Sequence, residues 1–191
     1  MTFNLTRRNV LIAGAGAAAM TVSTTIANAQ DIPSKTRMVL PSGQSRPFDR
    51  ERFVEDCIKA HMETDARSAV REVLARAVSD HSAVLNGLGD PSKAGLDVLL
   101  SSPTLTIFAA AWTPQMNLLP HDHEMWALIG IYTGREDNIL WRQGEHSIEA
   151  VAANCLFEGD VATLEADAIH SVTNPLLRFT GGIHIYGGGF F

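Results

Sequence analysis

From Leu105 to the C-terminus the chain shows no helical periodicity and breaks into short β-rich runs, each closed by Gly, Pro, Asn or Asp. The runs are Leu105–Trp112, His121–Tyr132, Asn138–Arg142, Ile148–Cys155, Val161–Leu164 and Gly182–Tyr186. The runs are closely spaced and no helical pattern lies between them, whereas parallel strands are usually joined by helical crossovers. An antiparallel sandwich or barrel is the expected architecture. Upstream the period changes. Phe53, Val54, Cys57, Ile58 and Met62 recur at helical spacing, and Val70, Val73, Leu74, Ala77 and Val78 form a second apolar stripe. A pair of amphipathic helices over about 50–88 is expected to pack on the barrel, ending at Gly87-Leu88-Gly89-Asp90-Pro91. Fold class is therefore mainly β with N-terminal α-helices, in a single domain spanning 50–191.

Residues 30–49, with Pro33, Pro41, Gly43 and Pro47 and no period, read as a linker or an arm lying over that domain. Residues 1–29 carry no acid, an adjacent pair of bases at Arg7 and Arg8, an apolar run from Val10 to Met20, and Ala27-Asn28-Ala29. This is the layout of a signal peptide. The run is about half of the roughly 20 residues a bilayer span requires, and no later stretch is long enough, so no stable membrane span is expected in the mature protein. Thr6-Arg7-Arg8-Asn9-Val10-Leu11 is similar to bacterial twin-arginine signals, which implies the twin-arginine export machinery as a partner during secretion and a periplasmic location.

A count of 21 Asp and Glu against 15 Lys and Arg gives a net charge of −6, the wrong sign for counterion release on a phosphate backbone, so no nucleic-acid partner is expected. Cys57 and Cys155 are the only cysteines, too few for a disulfide framework and outside any CxxC motif. Both are expected to be ordinary apolar positions.

Histidines carry the chemistry. His121 and His123 are one residue apart on an expected strand, where the period of two places both imidazoles on one face and Asp122 on the other. Two converging imidazoles have metal-ligand geometry, although such a pair also occurs as a plain polar edge. Farther on, Gly159 is followed by His170 and then Asn174. These two groups, with Gly134 closing the first, resemble the two motifs of the cupin superfamily. Pro114-Gln115 stands where the first motif opens with glycine, and Glu165-Ala166-Asp167 where the second has P-x-G. The resemblance implies a double-stranded β-helix (jelly-roll) barrel in which His121, His123 and His170 meet at a metal. The glutamate ligand common in cupins would fall at Ala127 or Leu128, so a three-histidine site is implied. Glu124 follows His123 directly and is expected to face away.

His184-Ile185-Tyr186 places two polar side chains on one face of the last expected strand. Together with Pro120–Trp126, Gly130–Asn138 and His170–Pro175 it resembles the thiol dioxygenases related to cysteine dioxygenase and 3-mercaptopropionate dioxygenase, over about residues 104–191. That resemblance implies an Fe(II) cofactor, a small-molecule thiol and O2 as substrates, and a sulfinate product. It also implies catalytic roles for Tyr186, through a hydrogen bond to the bound substrate, and for His184, which orients the hydroxyl. Three departures stand out. Gly182 replaces a serine that usually contacts this histidine, Leu128 occupies the position of a tyrosine-crosslinking cysteine, and Lys93 is the one cation in 90–104, the region from which a carboxylate-clamping arginine would come.

Two alternatives share the metal site: a cupin metalloenzyme acting as an oxygenase or isomerase on a non-thiol substrate, and a non-catalytic metal-dependent binding protein. Elsewhere, His61, His81 and His146 lack ligand-spaced partners. Trp126 reads as a core aromatic or a pocket wall, Phe190 and Phe191 as packing at the barrel end, and Arg135-Glu136-Asp137 as a solvated cluster in a turn.

Overall fold

The computed structural model describes residues 47–191 in full and the backbone of residues 36–37. The signal-peptide reading of 1–29 and most of the arm at 30–49 lie outside the described residues. The elements are β1 (Thr36–Arg37), α1 (Arg50–His61), α2 (Ala66–Ser79), α3 (His81–Leu88), β2 (Gly95–Ser101), β3 (Thr106–Trp112), β4 (Asn117–His121), β5 (Ala127–Thr133), β6 (Arg135–Gln143), β7 (Ile148–Phe157), β8 (Asp160–Leu164), β9 (Ile169–Thr173) and β10 (Thr180–Tyr186).

Three helices form where a pair was expected. Asp49, Asp65 and Asp80 each turn a carboxylate onto a backbone N–H of the following first turn, satisfying a donor that has no partner inside the helix. Asp80 ends α2 and starts α3 with φ −106° and ψ 67°, a break that the apolar stripe alone does not reveal. No helix among the described residues is long and apolar enough to cross a membrane.

The strands form two antiparallel sheets, ordered β1-β8-β5-β10-β3-β2 and β4-β9-β6-β7. Their pairing is nested: β6 with β7, β5 with β8, β4 with β9 and β3 with β10. One long hairpin, turning between β6 and β7, is thus wound into a barrel whose successive pairs alternate between the sheets. That nesting defines the double-stranded β-helix, the barrel of the cupin fold. β2 extends one edge beside β3, and β1 extends the other beside β8. Gly134 (φ +86°) and Gly159 (φ +85°) take the tight turns into β6 and β8, in a region that side chains avoid.

Two apolar cores result. The first lies between the helices and the outer face of the larger sheet, where Val70, Leu74 and Val78 of α2 pack with Leu128, Val161 and Ile183. Contact is close at Gly130, where a Cβ would stand 2.9 Å from Leu74 Cδ1. Trp126 and Cys57 belong to this core, and Trp126 is thus a structural aromatic. The second core fills the barrel with Phe108, Ile129, Ile131, Leu140 and Leu156, with Phe190 packed against it. Phe191 remains 69% exposed, so only the first of the two terminal phenylalanines closes the barrel end. Cys155 lies on β7, where its sulfur accepts from Arg135 at 3.3 Å.

Candidate metal centre

The nested pairing places the three expected ligands. His121, the last residue of β4, is the direct cross-strand partner of His170 on β9. His123 reaches them from the loop before β5, where Glu124 adopts φ +56°. The His-x-His pair was expected on one continuous strand. Instead the strand ends at His121 and the bend brings the second imidazole back, so a loop and not the pleat converges the pair. Glu124 stays outside the cluster, as expected. One nitrogen from each of His121, His123 and His170 lies within 4.8 Å of the others, and among the described residues no carboxylate joins them.

Hydrogen bonds orient these rings. His121 Nδ1 lies 2.8 Å from the carbonyl oxygen of Leu119, and His170 Nδ1 lies 2.7 Å from Asn138 Oδ1. Both oxygens only accept, so each Nδ1 carries the hydrogen and each Nε2 presents a lone pair. His123 Nε2 and His170 Nε2 face one another at 3.0 Å, a separation that needs a shared hydrogen or a cation. Burial, reinforced by His121 and His184, lowers His123 to a pKa of about 4. Burial, with His121 and His123 adding to it, lowers His170 to about 3. Both are neutral at physiological pH. Neutral, pre-oriented imidazoles suit a divalent transition-metal ion, and the residues present fit one.

Beside the cluster, His184 and Tyr186 project from β10 into the barrel, 2% and 3% exposed. The Tyr186 hydroxyl is 3.5 Å from His184 Nδ1, and its ring lies 4.8 Å from that of His123. Phe108, the register partner of His184 on β3, stacks on both rings, at 5.6 Å and 5.2 Å. Burial pushes the phenol well above its ordinary range, so Tyr186 is a hydrogen-bond donor at neutral pH.

The solvated reading of Arg135-Glu136-Asp137 is overturned. Alternation along β6 turns Glu136, Asn138 and Leu140 into the barrel. Glu136 is fully buried, accepting from Trp112 Nε1 at 2.6 Å and from Asn138 Nδ2 at 3.0 Å, while His184 Nε2 stands 3.5 Å away. Burial alone would raise its pKa; His184, Asn138 and Trp112 outweigh it and hold the carboxyl below the usual range. Arg135 and Asp137 form a half-buried pair at 2.6 Å. The spacing Glu136-x-Asn138 on a strand leading away from Gly134 is the signal that would have found these inward polar residues.

A cavity of about 780 Å³ opens onto the centre between the edge strands β2 and β4. Its walls are mainly apolar, with Leu96, Leu118, Leu119, Met125 and Phe190 among them, and no Lys or Arg among the described residues lines it. Lys93, the cation noted in the sequence, is therefore not part of the wall. Asp122 is the single acid among the described residues of the lining.

Fold and site together define a cupin-type barrel with a three-histidine group that can hold a metal ion. No protein-family model and no curated protein matches this chain. Solved structures similar to it include a cupin family protein with a double-stranded β-helix fold from Methanocaldococcus jannaschii, at 10% identity over 51% of this chain and 82% of that one, TM-score 0.43. A cupin superfamily protein from Desulfitobacterium hafniense matches at 15% identity over 50% and 77%, TM-score 0.41. An uncharacterized conserved protein with a double-stranded β-helix domain from Klebsiella pneumoniae matches at 15% over 51% and 79%, TM-score 0.40. These likenesses are distant, and the fold assignment stands on the nested strand pairing itself.

Proposed function

We propose that this protein is an exported, Fe(II)-dependent dioxygenase that oxidises a small thiol to a sulfinate with O2. The observation supporting this most strongly is a three-histidine centre with no carboxylate among its donor atoms, set beside the buried Tyr186. When bound there, Fe(II) supplies a dication whose charge the ligands leave uncancelled, able to take a thiol as its thiolate and to activate dioxygen.

The chain's own residues do the rest. His121 and His170 present Nε2 toward the centre because their Nδ1 hydrogens are committed elsewhere. Tyr186 lines the cavity beside His123 with a neutral hydroxyl, whose hydrogen His184 Nδ1 accepts, leaving the hydroxyl oxygen beside that space. Phe108 and Phe190 pack around Tyr186 and exclude water from one side of the reacting volume. The mainly apolar lining, which holds no Lys or Arg among the described residues, favours a thiol that needs no carboxylate clamp. Export through the twin-arginine route into the periplasm is supported by Arg7 and Arg8 and the run after them.

The test is oxygen uptake by residues 30–191 loaded anaerobically with Fe(II), offered thiols with and without carboxylates, with His170→Ala as control. Uptake is expected with neutral, apolar thiols and not in the control. Tyr186→Phe should retain iron and lose turnover. No uptake across the panel from iron-loaded protein would overturn the thiol reading in favour of a non-thiol substrate or of binding without turnover.

A further inference from the structure

The resemblance to thiol dioxygenases assigns Glu136 no role, yet it is a fully buried carboxylate in the middle of the barrel. A buried acid is retained only where its neighbours are organised around it, and here two chains of polar groups leave it in opposite directions. One runs through the amide of Asn138 to His170, a member of the metal cluster. The other runs to His184 and from there to Tyr186.

Donor and acceptor rules give both chains a direction. An ionised carboxylate only accepts, so Asn138 must turn its NH2 toward Glu136. Its carbonyl then faces His170, which must carry hydrogen on Nδ1 and leave Nε2 bare. On the other side, His184 Nε2 faces Glu136 Oε2 at 3.5 Å and has no hydrogen-bond partner nearer. A hydrogen on that nitrogen points at negative charge, leaving Nδ1 bare to accept from the Tyr186 hydroxyl. Gly182 completes the arrangement: a Cβ there would stand 3.1 Å from His184 Nε2, so a side-chain hydroxyl on Gly182 would compete for the nitrogen that Glu136 faces.

We propose that Glu136 is a positioning residue whose single carboxylate sets the tautomers of both His170 and His184, readying one as a metal ligand and the other as the acceptor for Tyr186. The inference rests on the three-histidine centre and not on which substrate is turned over, so its test involves no turnover.

The test uses metal-free protein with 15N-labelled histidine, read by NMR at pH 7.5, together with Co(II) titration. Wild type is expected to show His170 as the Nδ1–H form and His184 as the Nε2–H form. Glu136→Gln places an NH2 where only acceptors fit; Asn138 turns over in response, His170 shifts toward Nε2–H, His184 loses its preference, and Co(II) affinity falls about tenfold or more. Asn138→Ala cuts one arm alone: His170 loses its preference while His184 keeps Nε2–H. The opposite tautomer at either histidine in wild type overturns the proposal. So does Glu136→Gln with both tautomers intact and Co(II) affinity within twofold of wild type. If Glu136→Gln does not fold, the pattern in Asn138→Ala decides, and an unaltered His170 or an altered His184 there overturns it.

Discussion

Metal binding at this site should release far fewer protons than three ordinary imidazoles would, and lowering the pH makes the difference measurable. At pH 5.5 a histidine of ordinary pKa, about 6.5, carries about 0.9 proton, so a pair of them gives up about 1.8 on binding a cation. His123 and His170 are held at about 4 and about 3 by burial and by neighbouring imidazoles, His121 and His184 at the first and His121 and His123 at the second. At that pH the two together carry only about 0.03 proton. With His123 and His170 already unprotonated, total release from the cluster stays at or below one proton. The assay is calorimetric titration of Co(II) into metal-free protein at pH 5.5, in buffers of different ionisation enthalpy, whose slope counts protons directly. Release of two protons or more would mean that His123 or His170 is charged in the folded protein. That would refute the argument that burial keeps these ligands neutral and ready.

Two further predictions follow from contacts already described. Asn138→Ala removes the acceptor that holds His170 Nδ1 and should weaken Co(II) binding about 10- to 100-fold, read by competition with a chromophoric chelator. Gly130→Ala drives a methyl against Leu74 and Val78 of α2 and should cost about 1–3 kcal/mol, lowering Tm by about 2–12 °C. Because that methyl faces the helices and not the barrel interior, Co(II) affinity should stay within twofold of wild type.

The three clustered histidines were legible because a cupin-like arrangement leaves them in short motifs whose spacing survives in the chain. The strand holding His170 was not among the expected runs. Ile169–Thr173 alternates half-buried and buried positions over only five residues, too brief a pattern to stand out. Gly95–Ser101 was equally silent, since this edge strand is mostly exposed and lacks the apolar alternation that marks a half-buried strand. Glu136 was misread for a different reason. Flanked by Arg135 and Asp137, it looks like part of a charged turn, and what permits its burial is Trp112 and His184. Those partners come from other strands and are distant in sequence. Local pattern reports which residues share a face; it is silent on which of them will find a partner across the barrel.

The nested pairing also sets an order of assembly. The β6–β7 hairpin closes a short loop, while joining β4 to β9 directly would mean closing the chain between His121 and His170 in one step. Once the hairpin has formed, each outer pair begins with its ends already drawn together, so its closure entropy is that of a few additional residues. The barrel therefore zips from the middle of its sequence outward: β5 with β8, then β4 with β9, then β3 with β10. The ligands on β4 and β9 meet at the third closure, and the strand carrying His184 and Tyr186 docks at the fourth. A metal ion arriving during refolding would thus find its three imidazoles before the tyrosine is in place.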